Sequence, residues 1–287
     1  MARHDQIASF FTLAGDTRLA ALGGTEISPH DLRRRIEVAG ATGYTGFGFA
    51  DRDLRYWSER YPLTEIRMTL DDCGITVVEI EMLSGWHLEG EQRAASDALQ
   101  AEMLAWAEAL GARHIKVCAD LGGAETSHAK FVEDFGVLCA AAAGVGVTVA
   151  LEVMPIGAIK SPAQALGIIE ESGARNAGLL LDVWHIARGG LDFAQLSSLP
   201  PDRIASIELN DGAKEPVDGD LVKDGSDYRR VAGTGELGVT DFVDAVLATG
   251  YDGPFGDENL SIDFRERTLE DAAETSYTAV RSLIARD

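Results

Sequence analysis

Cysteines and basic residues are scarce in this 287-residue chain. Its three cysteines, Cys73, Cys118 and Cys139, are odd in number and far apart, so they fit neither a disulfide framework nor a CxxC metal site. We expect three free thiols in a reducing compartment. With 25 Lys and Arg against 47 Asp and Glu, the net charge of -22 opposes binding to nucleic acid. A local Arg could still bind an anionic small molecule.

Long apolar runs and nucleotide-binding motifs are also missing. The chain has no run of about 18 apolar residues, so we predict no membrane span. Its first residues, MARHDQIASFF, have no apolar segment behind their charges, so we predict no signal peptide and a cytoplasmic protein. Neither GxGxxG nor GxxxxGK[ST] follows an early strand, which leaves dinucleotide and P-loop interpretations without support.

The sequence does contain about eight strand-like apolar runs that alternate with about eight helical segments. This alternation indicates a parallel sheet covered by helices. Eight units in this length fit a (β/α)8 TIM barrel better than an open doubly wound sheet. We therefore predict an α/β protein with a single TIM barrel domain over residues 1–287. Its first strand would cover Ile7 to Gly15, its closing helix Arg265 to Ala285, and Asp211 to Gly235 would be a polar, Gly-rich loop.

Four consecutive predicted strands end on a carboxylate, in the segments VTVALEV, GLLLDV, IASIELN and PFGDEN. Period-two alternation points Glu152, Asp182, Glu208 and Glu258 toward the barrel axis. A single such acid is readily explained by a salt bridge, but four that converge would repel unless they are neutralised. We therefore predict that all four bind one divalent metal, with Mn or Mg favoured and Zn or Co as alternatives.

The segments LEVMP, LDVWH, IELNDG and GDEN resemble the metal site of the sugar phosphate isomerase/epimerase family, which has a xylose isomerase-like barrel. The resemblance covers most of the chain, in strand order as well as in motifs. It implies that Glu152, Asp182 and Glu258 are ligands of one divalent metal. The family more often has His where this chain has Glu208. Glu208 would either complete an all-carboxylate set or mark a weakened or lost metal site.

Five further side chains are candidates for binding the substrate. His185 completes a D-x-x-H pattern whose histidine contacts substrate or metal-bound water in the family; the alternative is a loop histidine that bonds to backbone. Arg230 resembles the arginine of the family's R-x-x-G-x-G segment and suits a hydroxyl- or carboxylate-rich ligand, although it could be a solvated loop residue. Trp86 and His87 follow the third strand and could wall the pocket. Lys116 faces inward, as an acid or base or as the ion-pair partner of a strand-end acid.

Such a site supports proton transfer next to a carbonyl, with Glu152 and Glu258 as the acid/base pair. Return of the proton to the opposite face gives an epimer, and return to the neighbouring carbon gives an isomer. We predict a metal-dependent sugar isomerase or epimerase that acts through an enediolate on a small ketose, sugar or cyclitol. Ala158 stands where the ketose 3-epimerases have a second Glu, which weighs against that specificity.

Three alternatives stay open at this point. Loss of a β-group from the same enolate would make the protein a lyase or dehydratase that acts on an inosose, a dehydroshikimate-like acid or a 3-keto-glycoside. The substitution at Glu208 would also fit a non-catalytic barrel subunit. An endonuclease is opposed by the charge and by the lack of histidines for a three-metal site. Family members are often dimers or tetramers, so a homo-oligomer is an open expectation.

Overall fold

Eight parallel strands close into a barrel in the computed structural model, which describes residues 4–120, 122 and 125–285. The strands pair in chain order and β8 pairs with β1, which closes the sheet. The predicted (β/α)8 barrel is confirmed. The strands are β1 Gln6–Ala8, β2 Gly46–Ala50, β3 Val77–Leu83, β4 His114–Cys118, β5 Thr148–Glu152, β6 Ala177–Asp182, β7 Ile204–Leu209 and β8 Phe255–Asp257.

Helices surround the barrel, and polar N-caps begin several of them. Asp31, Ser161 and Thr268 each accept a hydrogen bond from a backbone N–H in the first turn of the helix that follows. The α-helices are α1 Phe10–Leu13, α2 Leu32–Thr42, α3 Asp51–Ser58, α4 Leu63–Asp72, α5 Gly90–Leu110, α6 His128–Ala143, α7 Pro162–Glu171, α8 Val183–Arg188, α9 Leu221–Asp227, α10 Val239–Ala248, α11 Ile262–Arg265 and α12 Leu269–Ile284.

The main core lies between the strands and the helices. Leu151, Leu181 and Ile207 belong to it and are fully buried, as the period-two alternation requires of outward-facing strand residues. Glycine makes room for larger side chains inside the barrel. A Cβ atom on Gly48 would lie 2.8 Å from Glu79 Oε1, and one on Gly256 would lie 2.9 Å from Ser9 Oγ. These glycines therefore let charged side chains fill the barrel axis.

The predicted first strand over Ile7 to Gly15 is wrong beyond Ala8. The strand ends there and the chain turns into α1. Thr12 in this helix donates from Oγ1 to the backbone oxygen of Asp257 at 2.7 Å and thereby ties α1 to the end of β8. An apolar run such as IASFF cannot distinguish a strand from a strand followed by a buried helical turn.

Two other local predictions also need correction. The closing helix is split into α11 and α12, because Thr268 caps a new helix three residues after α11 ends. The stretch from Asp211 to Gly235 is not only loop, since it contains α9, which Asp220 caps. The structure describes all three cysteines as free thiols, in agreement with the prediction. Within the described ranges, no helix has both the length and the apolar character to cross a bilayer.

Candidate active site and metal centre

The ends of β5 to β8 bring the four predicted carboxylates together, and all four side chains are buried. One oxygen from each of Asp182, Glu208 and Glu258 lies within 4.8 Å of the others. Ligand atoms of Glu152, Asp182 and His185 form a second group of the same size. Asp182 belongs to both groups and therefore marks the centre of the site.

Donors surround Asp182 on several sides. Its Oδ1 accepts from the backbone N–H of Trp184 at 2.6 Å, because Asp182 is the N-cap of α8. Asn210 donates to both carboxylate oxygens at 3.1 Å, and Arg229 Nη1 donates to Oδ2 at 2.6 Å. Burial opposes ionisation, but Arg229 and His185 outweigh it and lower the pKa of Asp182. Asp182 is therefore a fixed carboxylate.

Arg229 links two of the four acids. Its Nη1 also donates to Glu258 Oε2 at 2.8 Å, and its guanidinium carbon lies 5.4 Å from the centroid of the Trp184 ring. Arg230, the sequence candidate, has a side chain that is 46% exposed and lies 4.0 Å from Glu236. Strand-like alternation in this segment gives neighbouring arginines opposite directions. The structure thus places Arg229, and not Arg230, against the strand-end acids.

Glu152 and His185 form a buried pair. His185 Nε2 lies 3.2 Å from Glu152 Oε1. The remaining polar atom of each side chain, Glu152 Oε2 and His185 Nδ1, is buried without a hydrogen-bond partner among the described residues. Both side chains line the cavity described below. The pair therefore combines a carboxylate oxygen available to a ligand with a neighbouring group that can hold a proton.

Lys116 lies inside the barrel among glutamates from two strands. Its Nζ donates to Glu79 Oε1 at 2.8 Å, to Glu81 Oε2 at 2.7 Å and to Glu208 Oε1. Glu79 also bonds to His114 Nε2 at 3.0 Å. All five side chains are buried, so the sequence candidate Lys116 is a partner of acids and does not reach the cavity wall.

These contacts set the protonation of the network. Burial resists ionisation of Glu79, but Lys116 and His114 prevail and hold its pKa at about 2. Burial, together with repulsion from Glu258 and Glu79, raises the pKa of Glu81 to about 8 despite Lys116. The surrounding acids overcome the burial of Lys116 and raise its pKa. Lys116 is therefore the permanent positive charge beneath the strand-end acids.

Trp86 and His87 are held below the loop that follows β4. Trp86 Nε1 donates to the backbone oxygen of Cys118 at 2.8 Å. His87 Nδ1 lies 2.9 Å from Thr126 Oγ1, and its Nε2 accepts from the backbone N–H of Asp120 at 3.2 Å. Neither side chain lines the cavity at the strand ends. Their contacts shape the scaffold around β3 and β4.

A cavity of about 280 Å³ lies at the C-terminal ends of the strands, where TIM barrels carry their active sites. Its polar wall includes the acids that sequence reasoning singled out at β5 and β8. Glu81, which the sequence analysis passed over, also reaches this wall. The polar residues of the wall are Glu26, Glu81, Ser84, Glu152, His185, Ser226, Arg229 and Glu258.

The donor set fits a divalent cation. Glu152 Oε2 and Glu208 Oε2 are buried and have no hydrogen-bond donor among the described residues. Buried carboxylate oxygens without partners are unfavourable, and coordination to a cation would satisfy them. Asp182 and Glu258 are shared with Arg229 but lie within 4.8 Å of Glu208. An oxygen-rich set of this kind suits Mg or Mn.

Sequence reasoning missed Arg229, Glu79 and Glu81. A signal existed for the two glutamates, because they alternate in ITVVEIEML as Glu152 does in its own strand, and this pattern points both inward. Arg229 gave no such signal. Two adjacent arginines in a polar segment are equivalent until the backbone path is known.

The profile of the xylose isomerase-like TIM barrel family matches residues 36–278, and the chain belongs to this family. It is 23% identical over 257 residues to a 3-dehydroshikimate dehydratase of Pseudomonas putida, a match that covers 88% of this chain and 39% of that protein. The chain thus spans about two fifths of the length of the curated relative.

Solved structures agree in fold. An IOLI protein with a bound zinc atom superposes with a TM-score of 0.84 at 17% identity, covering 98% of both chains. A D-allulose 3-epimerase from Methylomonas sp. gives a TM-score of 0.72 at 18% identity, covering 100% of this chain and 98% of that one. The relatives of this chain thus include both epimerases and dehydratases.

Proposed function

We propose that this chain is a metal-dependent enzyme that removes a proton next to a carbonyl group of a small polyhydroxylated substrate. The observation that carries the proposal is the convergence of Glu152, Asp182, Glu208 and Glu258, with Glu152 Oε2 and Glu208 Oε2 left unpaired. These four carboxylates would hold one divalent metal, Mn or Mg by their oxygen donors. When bound, the metal would supply Lewis-acid stabilisation of the negative charge on the substrate oxygens.

The chain's own groups divide the remaining work. Glu152 is the proposed base, because its Oε2 is free of hydrogen bonds while His185 fixes the orientation of its Oε1. Asp182 is saturated by donors, which makes it a ligand and a poor base. Burial raises the pKa of Glu258, with Arg229 opposing, so Glu258 is suited to carry a proton back to the substrate.

Proton return by Glu258 makes the protein an epimerase or isomerase, our first candidate. Its support is that the two carboxylates Glu152 and Glu258 line one cavity, and that Glu258 is held in place by Arg229. The D-allulose 3-epimerase likeness concerns the fold and adds no argument about the substrate.

Elimination is the second candidate. His185 lies beside Glu152 and could protonate a leaving β-hydroxyl or another β-group after Glu152 has taken the α-proton. The likeness in sequence to a 3-dehydroshikimate dehydratase favours this fate of the enolate. The same residues therefore serve both candidates, and the group that receives the second proton distinguishes them.

Isotope exchange tests the shared step and its outcome together. We would incubate the Mn-loaded protein in D2O with D-allulose, L-ribulose, an inosose, 3-dehydroshikimate and a 3-keto-glycoside, and follow each by NMR. Deuterium at the α-carbon with a new stereoisomer would identify an epimerase, and an unsaturated product would identify a lyase. No exchange with any of them, together with no binding of Mn, would favour a non-catalytic subunit.

A further inference from the structure

We propose that the substrate of this site is uncharged and joins its hydroxylated carbonyl portion to an aromatic or similarly apolar group. This inference rests on the proposed function, because the acids at the strand ends would hold the carbonyl portion. The observation behind it is the contrast between the two ends of the cavity. Glutamates line one part, and apolar side chains supply most of the rest.

The apolar wall is built by separate segments that meet over the acids. The segment after β1 contributes Phe11 and Leu22, the loop after β5 contributes Met154 and Ile156, and α8 and α9 contribute Trp184 and Val222. Leu22 and Val222 are 49% and 40% exposed, which is unusual for large apolar side chains on two facing loops. Apolar side chains exposed together at the mouth of a cavity commonly mark a binding surface.

These walls disfavour a free sugar that has a hydroxyl on every carbon. Hydroxyls placed against them would exchange hydrogen bonds with water for contacts that offer none, which is unfavourable. An aromatic ring in the same place would bury apolar surface on both sides. The cavity of about 280 Å³ therefore suits an amphipathic ligand.

Charge further narrows the class. Among the described residues, Arg229 is the one Lys or Arg side chain on the cavity wall, and it already bridges Asp182 and Glu258. A phosphate or carboxylate on the substrate would instead face Glu81, Glu152 and Glu258. Repulsion by these acids selects a neutral substrate, such as the keto form of an aryl glycoside.

The wall that α9 forms is fixed in place. Asp224 Oδ2 accepts from Trp184 Nε1 and from Arg188 Nε, each at 2.8 Å, and Asp224 Oδ1 accepts from the backbone N–H of Val217 at 2.9 Å. A fourth contact runs from Arg229 Nε to the backbone oxygen of Gly225 at 2.9 Å. The apolar surface beside Trp184 is therefore preorganised, which lowers the entropic cost of binding a rigid ring.

Matched glycosides test the proposal by binding alone. We would titrate the Mn-loaded protein with phenyl and methyl glycosides of glucose, galactose and xylose by calorimetry, and with 3-dehydroshikimate as the anionic probe. We expect at least one phenyl glycoside to bind about tenfold or more tightly than its methyl partner, which corresponds to about 1.4 kcal/mol. Equal binding within every pair, no binding of any phenyl glycoside, or tighter binding of 3-dehydroshikimate would overturn the proposal.

The variant Leu22→Ser/Val222→Ser locates the effect. Both positions are exposed, so the variant should fold, and we expect the preference for phenyl to fall below about threefold while methyl glycosides are unaffected. Val137→Ser, which changes a 56% exposed side chain on α6, is the matched control and should keep the full preference. An unchanged preference in the double variant would place the aryl group elsewhere. Phenyl preference without deuterium exchange for any substrate would instead refute the proposed chemistry.

Discussion

The carboxylate at position 208 is where this chain departs most clearly from the pattern that its motifs resemble. Glu208 Oε1 is bound by Lys116, whereas Oε2 has no partner among the described residues. The pair of Glu208 and Lys116 has no net charge, so it can replace a neutral ligand without adding negative charge beside Asp182 and Glu258. Lys116 thus offers a physical reason why a glutamate is tolerated at this position.

Removal of Lys116 should reveal this compensation. Lys116→Met leaves Glu79, Glu81 and Glu208 buried without their cation, and we expect a loss of about 3–5 kcal/mol in the free energy of unfolding. Urea unfolding measures it. Lys223→Met removes an exposed lysine and should change stability by less than about 0.5 kcal/mol. Equal stability of the two variants would mean that the glutamates are neutralised by protonation.

Loss of the proposed base tests the chemistry at the same scale. Glu152→Gln keeps the size of the side chain but cannot accept the α-proton, and we expect α-deuterium exchange with the best substrate to slow by about 10²–10⁴-fold. Glu236→Gln changes an exposed acid beside Arg230 and should leave the rate unaltered. Exchange at the native rate in the Glu152 variant would assign the base role to another group.

At the scale of elements, the segment after β7 contributes more than its composition suggests. Gly and Asp residues between Asp211 and Gly235 indicate a loop, yet α9 folds there. A short helix is marginal by its own propensity. Here the carboxylate of Asp224 links α9 to Trp184 and Arg188 of α8, and so supplies stability that local sequence cannot predict.

This helix should loosen when its anchor is removed. Asp224→Ala deletes three hydrogen bonds to one buried carboxylate, so we expect faster proteolytic cleavage within residues 217–228 and a weaker preference for phenyl glycosides. Limited proteolysis with mass spectrometry checks the first effect. Asp218→Ala alters a 71% exposed acid in the same segment and serves as control. If both variants resist cleavage alike, Asp224 is not the anchor.

At the scale of the whole molecule, a chain with net charge -22 gathers acids along the axis of its barrel. Closure of the barrel makes this unavoidable, because inward-facing residues of all eight strands share one narrow space. Glu79, Glu81, Glu152, Asp182, Glu208 and Glu258 are buried, whereas Lys116 and Arg229 are the cations that contact them. The excess of negative charge is the global reason to expect a bound cation.

Metal should therefore stabilise the fold as a whole. With free Mn at about 100 times its dissociation constant, binding adds about 2.7 kcal/mol, and we expect Tm to rise by roughly 5 °C or more. Differential scanning calorimetry with and without a chelator measures this. Glu208→Ala should reduce the rise, whereas Glu171→Ala, at an exposed position on α7, should preserve it. A full shift in Glu208→Ala would remove Glu208 from the proposed ligands.

Acid should also weaken the fold through Glu79. Its folded pKa of about 2 lies below the usual value of 4.5 because of Lys116 and His114, so the unfolded chain binds this proton more readily. The corresponding stability is present above pH 4.5 and is lost as pH falls toward 2. In Glu79→Gln, we expect a shallower dependence of unfolding free energy on pH in this window. An identical slope in both proteins would contradict the assignment.

The sequence by itself determined the barrel and the positions of four acids, because both depend on local periodicity. Alternation of apolar and polar residues along a strand fixes which side chains face the axis, and Glu152, Asp182, Glu208 and Glu258 followed from it. Only the tertiary structure decided that Arg229 and not Arg230 joins Asp182, that Lys116 pairs with Glu208 across the barrel, and that apolar side chains wall the cavity. These contacts join residues far apart in the chain, and they depend on backbone paths that no local pattern records.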